Sequence, residues 1–268
     1  MGTEQRARRV DLDTGVSLAF VEQGDRSGRP VLLLHAWGES LRCFDRLAPL
    51  LPASFHVLAV DQRGHGDADK PADGYGLESL GKDVEAFMDA VGLPSAVLAG
   101  SSSGGYVAQQ VAMRSPDRVD GLVLIGSPRS LRGRPEFADE VERLTDPVDA
   151  AWVRGFLEAF PLLHDVPEWY VEDRVSEACR IPAEVWQASL AGLATSAAPI
   201  ETGPISAPTL ILWGDRDGLL APEGQQALAA AIPGARLLVY EGVGHLVLWE
   251  QPERVAADLA AFVQDIAF

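Results

Sequence analysis

Ala96-Val97-Leu98-Ala99-Gly100-Ser101-Ser102-Ser103-Gly104-Gly105 is the stretch on which the fold turns. It opens as a short apolar run of buried-strand type. A glycine- and serine-rich turn follows, and then Val107, Val111 and Met113 mark a helix. Strand, tight turn and helix in that order are the setting of a nucleophile elbow. The turn is so tight that the residues flanking the nucleophile must be small, and Gly100 and Gly104 are. It lifts the Ser102 hydroxyl to the N-terminus of the helix. A Gly-x-Ser-x-Gly string alone is weak evidence; its place between strand and helix makes it strong. The competing reading is a loop that cradles phosphate, but no lysine follows as a P-loop requires.

Further apolar runs lie outward from this point at Val31–Leu34, His56–Val60, Leu122–Ile125, Thr209–Trp213 and Arg236–Tyr240. They are continuous, which predicts strands covered on both faces. Arg9–Asp13 and Val16–Val21, split by Thr14-Gly15, predict a hairpin. Leu77, Leu80, Val84, Phe87, Met88 and Val91 form one helical stripe, ended by Gly92 and Pro94. Val255, Leu259, Phe262, Val263 and Ile266 form another just after Pro252. The alternation predicts an α/β fold, a mostly parallel sheet with helices on both faces and right-handed crossovers. Residues 128–205 break the rhythm. They hold no convincing strand, but carry Phe137, Trp152, Phe156, Phe160, Trp169, Tyr170 and Trp186. Helices are expected near Glu136–Leu144, Val148–Phe160, Glu168–Cys179 and Ala183–Ala194. The division is a core of 1–127 and 206–268 with a helical cap of 128–205.

Composition narrows the function classes. The 268 residues carry a net charge of −17, with 23% charged and 47% hydrophobic residues. Such an acidic surface disfavours nucleic acid and anionic membranes, and the balance is that of a soluble globular protein. Two cysteines, Cys43 and Cys179, make no disulfide framework. No cysteine or histidine cluster suggests a metal, and no cofactor is expected. The first residues, Met1–Arg6, show no secretory or myristoylation pattern, and no apolar run reaches membrane-spanning length. A reduced, cytoplasmic protein is the expectation; monomer and homodimer both stay open.

A serine hydroxyl needs a base, and the base an orienting acid. Gly214-Asp215-Arg216-Asp217 follows one apolar strand, and Gly242-Val243-Gly244-His245 follows the next. Open α/β sheets carry their chemistry at such strand ends. Ser102, Asp217 and His245 run in the order Ser…Asp…His.

With Leu34-His35-Ala36-Trp37-Gly38, Asp61-Gln62-Arg63-Gly64-His65-Gly66, and Glu250 and Pro252 after His245, these strings resemble the α/β-hydrolase fold superfamily over nearly the whole chain. The resemblance implies an eight-stranded twisted sheet with an inserted helical cap. It implies Ser102 as nucleophile, His245 as general base and acid, and Asp217 as orienting acid. It also implies an oxyanion hole made by the backbone N–H groups of Trp37 and Ser103. Ala36 stands where the family often has glycine, and Leu246 where its carbon–carbon bond hydrolases often have tryptophan. Asp215 is read as a turn residue, His35, His65, Asp61 and Arg63 as loop anchors, and His56 as a strand residue. His164 is read as a surface histidine.

The expected activity is hydrolysis of a carboxylic ester or lactone through an acyl-enzyme on Ser102. Trp37, Trp152, Phe156 and Trp186 are the expected walls of an apolar pocket for a small-molecule substrate. Cofactor-free haloperoxidase or perhydrolase chemistry, carbon–carbon bond hydrolysis and slow-turnover ligand reception are the alternatives on the same triad.

Overall fold

A computed structural model describes residues 7–266 of the 268. The N-terminal segment 1–6, read above for targeting signals, lies outside the described residues. The strands are β1 (Arg8–Asp11), β2 (Ser17–Gly24), β3 (Arg29–Leu34), β4 (Phe55–Val60), β5 (Ala96–Ser101), β6 (Val119–Ile125), β7 (Thr209–Gly214) and β8 (Arg236–Tyr240). They form one eight-stranded sheet in the order β1-β2-β4-β3-β5-β6-β7-β8. β2 pairs antiparallel with β1 and β4; every other pairing is parallel.

Side chains alternate across a strand, so one apolar run feeds two cores. On β3, Leu32 and Leu34 enter the core shared with Val84, Phe87 and Val111. Val31 and Leu33 enter the opposite core with Val255, Leu259 and Phe262. The helices responsible are α1 (Leu77–Ala90) and α2 (Ser103–Arg114) on one face, and α10 (Pro252–Asp265) on the other. β4 and β7 are buried along their whole length, as continuous apolar runs demand. β8 departs from that expectation. It pairs only with β7 and forms the sheet edge, leaving Leu238 and Val239 exposed.

Between β6 and β7 lie five helices: α3 (Ala138–Glu142), α4 (Ala150–Glu158), α5 (Glu168–Cys179), α6 (Ala183–Thr195) and α7 (Pro199–Thr202). They bury a third apolar cluster of their own, including Val141, Val153, Val175, Val185 and Trp186. α8 (Pro222–Ala231) and α9 (Val247–Glu250) complete the chain. Among the described residues, no helix is long and apolar enough to cross a membrane.

Arg63 and Asp83 make a buried bidentate pair, at 2.7 and 2.9 Å, that fastens the loop after β4 to α1. Thr14 Oγ1 donates to the same carboxylate at 2.6 Å. Removing one partner strands the other charge in a dry place. Asp83→Ala is therefore expected to destabilise the fold by about 3–5 kcal/mol, read as a lower urea midpoint. A midpoint near that of the parent protein would show that Arg63 does not depend on this carboxylate.

Candidate active site

β5 delivers the chain into the turn at Ser101, and α2 leaves it at Ser103. Ser102 sits between them at φ 45°, ψ −117°. Among the described residues it is the only non-glycine with positive φ, a conformation that costs of order 1–3 kcal/mol. The surroundings enforce it. The Ser102 N–H donates to the Ile125 carbonyl at 2.8 Å, and the Ser102 carbonyl accepts from Gly105 N at 2.9 Å. A Cβ on Gly100 would strike the Gly104-Gly105 backbone, and one on Gly104 would strike the Leu34 and His35 carbonyls. The helix start is thus pressed against the end of β3, where only bare backbone fits.

Ser102 Oγ lies 3.2 Å from His245 Nε2, and His245 Nδ1 lies 2.8 Å from Asp217 Oδ2. The Asp217 side chain is fully buried. Its other oxygen accepts from Leu219 N at 2.8 Å and Leu220 N at 2.9 Å, which fixes the carboxylate plane. Asp215 is a turn residue, accepting from Gly242 N at 2.7 Å. The loop bearing His245 is held by Glu250. That buried carboxylate accepts from Gly244 N at 3.1 Å, Leu163 N at 3.0 Å and His164 Nδ1 at 2.9 Å. His164 is therefore a tether, 38% exposed, and does not line the cavity beside Ser102.

Trp37 follows β3 in a loop pinned by two histidines. His35 Nδ1 donates to the Ala36 carbonyl at 2.8 Å, and its Nε2 accepts from Gln62 N at 3.0 Å. His65 Nδ1 donates to the Arg63 carbonyl at 3.0 Å, and its Nε2 accepts from Gly38 N at 3.3 Å. Each ring must be neutral to accept at Nε2. Burial, above all, pushes His35 down to about 3 and His65 to about 4. Asp61 anchors the same region, accepting from Leu41 N at 2.7 Å and Asp67 N at 2.8 Å. The Trp37 N–H is engaged within the protein. It donates to Ser103 Oγ at 2.6 Å, so the hydroxyl of one expected oxyanion residue occupies the N–H of the other.

A cavity of 320 Å³ adjoins Ser102 and His245. Trp37, Phe156 and Trp186 line it, joined by Phe137, Phe160 and Leu246. Their rings pack on one another: Trp37 meets Trp186 at 4.7 Å and Phe137 at 5.8 Å, and Phe160 meets the His245 ring at 5.4 Å. Trp152 lies outside this lining. It stacks behind Phe156 at 5.6 Å and lines a separate outer groove with Glu140 and Arg143. Trp152 and Phe156 stand four residues apart on α4, and only Phe156 reaches the void. Sequence reading also missed Glu39 and Arg174, two charged residues of the lining. Among the described residues, no group of histidine, cysteine or acidic side chains is arranged to hold a metal ion.

A family model described as the alpha/beta hydrolase fold matches residues 29–179 and 171–252. The chain belongs to the α/β-hydrolase family. It is 30% identical over 251 residues to the pimeloyl-[acyl-carrier protein] methyl ester esterase of Neisseria meningitidis serogroup C, covering 89% of this chain and 94% of the relative. A hydrolase from Pseudomonas aeruginosa PA01 superposes with a TM-score of 0.86 at 28% identity, covering 97% of this chain and 99% of that one. Est816, an N-acyl homoserine lactone degrading enzyme, superposes at 0.80 and 30% identity, covering 95% and 100%. Hydrolase names recur among these relatives, and the chain is a hydrolase-fold enzyme.

The neutral histidines make the Trp37 loop sensitive to acid. Unfolded histidine takes a proton near pH 6.5, whereas these two resist until about pH 3 and 4. Their contribution is intact above about pH 6.5 and is lost as pH falls, because the unfolded chain then binds more protons. At pH 5 the loss is roughly 2 kcal/mol per histidine. Urea unfolding at pH 7 and pH 5 should show a smaller difference for His65→Gln than for the parent protein. An unchanged difference would remove His65 from this explanation.

Proposed function

We propose that the protein is a serine hydrolase of a carboxylic ester or lactone. The observation that carries this reading is the hydrogen-bonded series Ser102–His245–Asp217, at 3.2 and 2.8 Å, opening on an apolar cavity. His245 takes the Ser102 proton as the hydroxyl attacks the carbonyl carbon. Asp217 holds the imidazole in the tautomer with Nδ1 protonated and stabilises its cationic form. The protonated Nε2 passes its proton to the leaving alkoxide. Water, deprotonated by the same nitrogen, then releases the acid from Ser102. The relatives named as a methyl ester esterase and a lactone-degrading enzyme support a carbonyl–oxygen bond as the target.

The oxyanion is received at the start of α2. The Ser103 N–H makes no intrahelical bond there, as for any first-turn amide. The Trp37 N–H is the second donor once the substrate oxygen replaces the Ser103 hydroxyl on it. One hydrogen bond is exchanged for another, so the step is cheap. Helices α3–α7 form the cap that roofs the site, with Phe156 and Trp186 facing the substrate.

Two measurements follow. With p-nitrophenyl esters of rising chain length, Ser102→Ala and His245→Ala should each lower kcat by about 10⁴-fold or more. Turnover near that of the parent protein in either variant would end the assignment. Ser103→Ala frees the Trp37 N–H in advance and should raise kcat/KM by up to about fivefold, the worth of one ordinary hydrogen bond. A large fall would show that the hydroxyl itself is needed.

A further inference from the structure

The cavity has apolar walls, yet three arginines border it: Arg132, Arg134 and Arg174. The first two are exposed, and Arg134 is paired with Glu142 and Asp139. Arg174, on α5, is only 2% exposed. Its Nε and both Nη atoms are buried with no hydrogen-bond partner. Arg63, also buried at 8% exposure, shows how this chain ordinarily treats such a group, pairing it bidentately with Asp83. Arg174 instead rests over the Tyr170 ring, 4.9 Å from its centroid.

Glu39 is the other charged residue in the buried lining, and it does not fill the gap. One of its oxygens accepts from Ala36 N at 3.2 Å and the other from Trp249 Nε1 at 2.8 Å. Burial pushes its pKa up against the pull of the Arg174 charge. A guanidinium cannot escape burial by losing its proton. A buried, unpaired cation is costly, and a partner that brings negative charge recovers that cost.

We propose that Arg174 is a carboxylate-binding residue and that the ester taken by this site carries a free carboxylate remote from the scissile bond. The reaction itself rests on the ester-hydrolase reading above; the chemical class of substrate is what is added. All three guanidinium nitrogens are buried in the free protein. The long side chain turns its fork off the Tyr170 face into the cavity it borders when an anion arrives. A carboxylate then receives two parallel charge-assisted hydrogen bonds in a water-poor setting. The apolar walls take the chain that links carboxylate to ester. A net charge of −17 repels anions at long range, so this one contact supplies the preference.

The test is calorimetric titration of full-length Ser102→Ala protein with straight-chain dicarboxylic acids, succinate through suberate, as monomethyl and dimethyl esters. At the best chain length the half-ester should bind at least about tenfold tighter than the diester. The difference should vanish in Ser102→Ala/Arg174→Gln and return in part with Arg174→Lys. Equal affinity for the two esters, no binding of any half-ester, or an advantage that survives Arg174→Gln overturns the proposal. Should the Gln variant not fold, the half-ester to diester ratio in the Arg174-bearing protein decides alone. Hydrolysis of the diesters by the parent protein separates the two readings. Diester turnover that needs Ser102, with no half-ester preference, defeats only the carboxylate site. Half-ester binding with no hydrolysis of either ester defeats only the ester reading.

Discussion

Everything at this site depends on a backbone that is forced into an unfavourable shape. Ser102 holds φ 45° because α2 starts directly against the end of β3. The close approach requires bare backbone at Gly100 and Gly104, and it leaves the serine hydroxyl as the group that projects. The strain is small beside the apolar surface buried by β3, β5, α1 and α2 around it. The sheet can therefore sustain a turn that no isolated peptide would keep. Asp217 and His245 add nothing to that strain; they follow β7 and β8 respectively, whose C-terminal ends lie on the same side of the sheet.

A second constraint is dryness around the Trp37 loop. His35 and His65 serve as fixed hinge pins only while neutral, each donating at Nδ1 and accepting at Nε2. Their surroundings remove water and so keep them neutral. Arg174 is likewise buried, without a hydrogen-bond partner. Burial thus accompanies both a rigid loop and an unsatisfied charge.

The elbow, the strands and the Ser…Asp…His order were legible because each is a local pattern: a run, a period or a string. The edge position of β8 was not. Arg236–Tyr240 reads like an inner strand, and only sheet order reveals that Leu238 and Val239 face solvent. The aromatic walls were half legible. Trp152 and Phe156 share one helical stripe, and the packing of α4 against α6 decides which of them meets the void. Arg174 was illegible for a related reason, since a cation on a polar-looking helix is ordinarily solvated. The Ser103 hydroxyl on the Trp37 N–H joins residues 66 apart in sequence, and no spacing rule anticipates it.

Glu250 joins two regions that would otherwise move separately. One carboxylate holds the Gly244 amide beside His245 and the Leu163 amide in the segment between α4 and α5. Neither amide can let go without leaving part of a buried charge unanswered. The Leu163 amide proton is thus a natural reporter. Its exchange with solvent deuterium would rise when the carboxylate that also holds the His245 loop lets go, although the two lie 82 residues apart. Through that one carboxylate the segment between α4 and α5 is tied to the residue next to the imidazole.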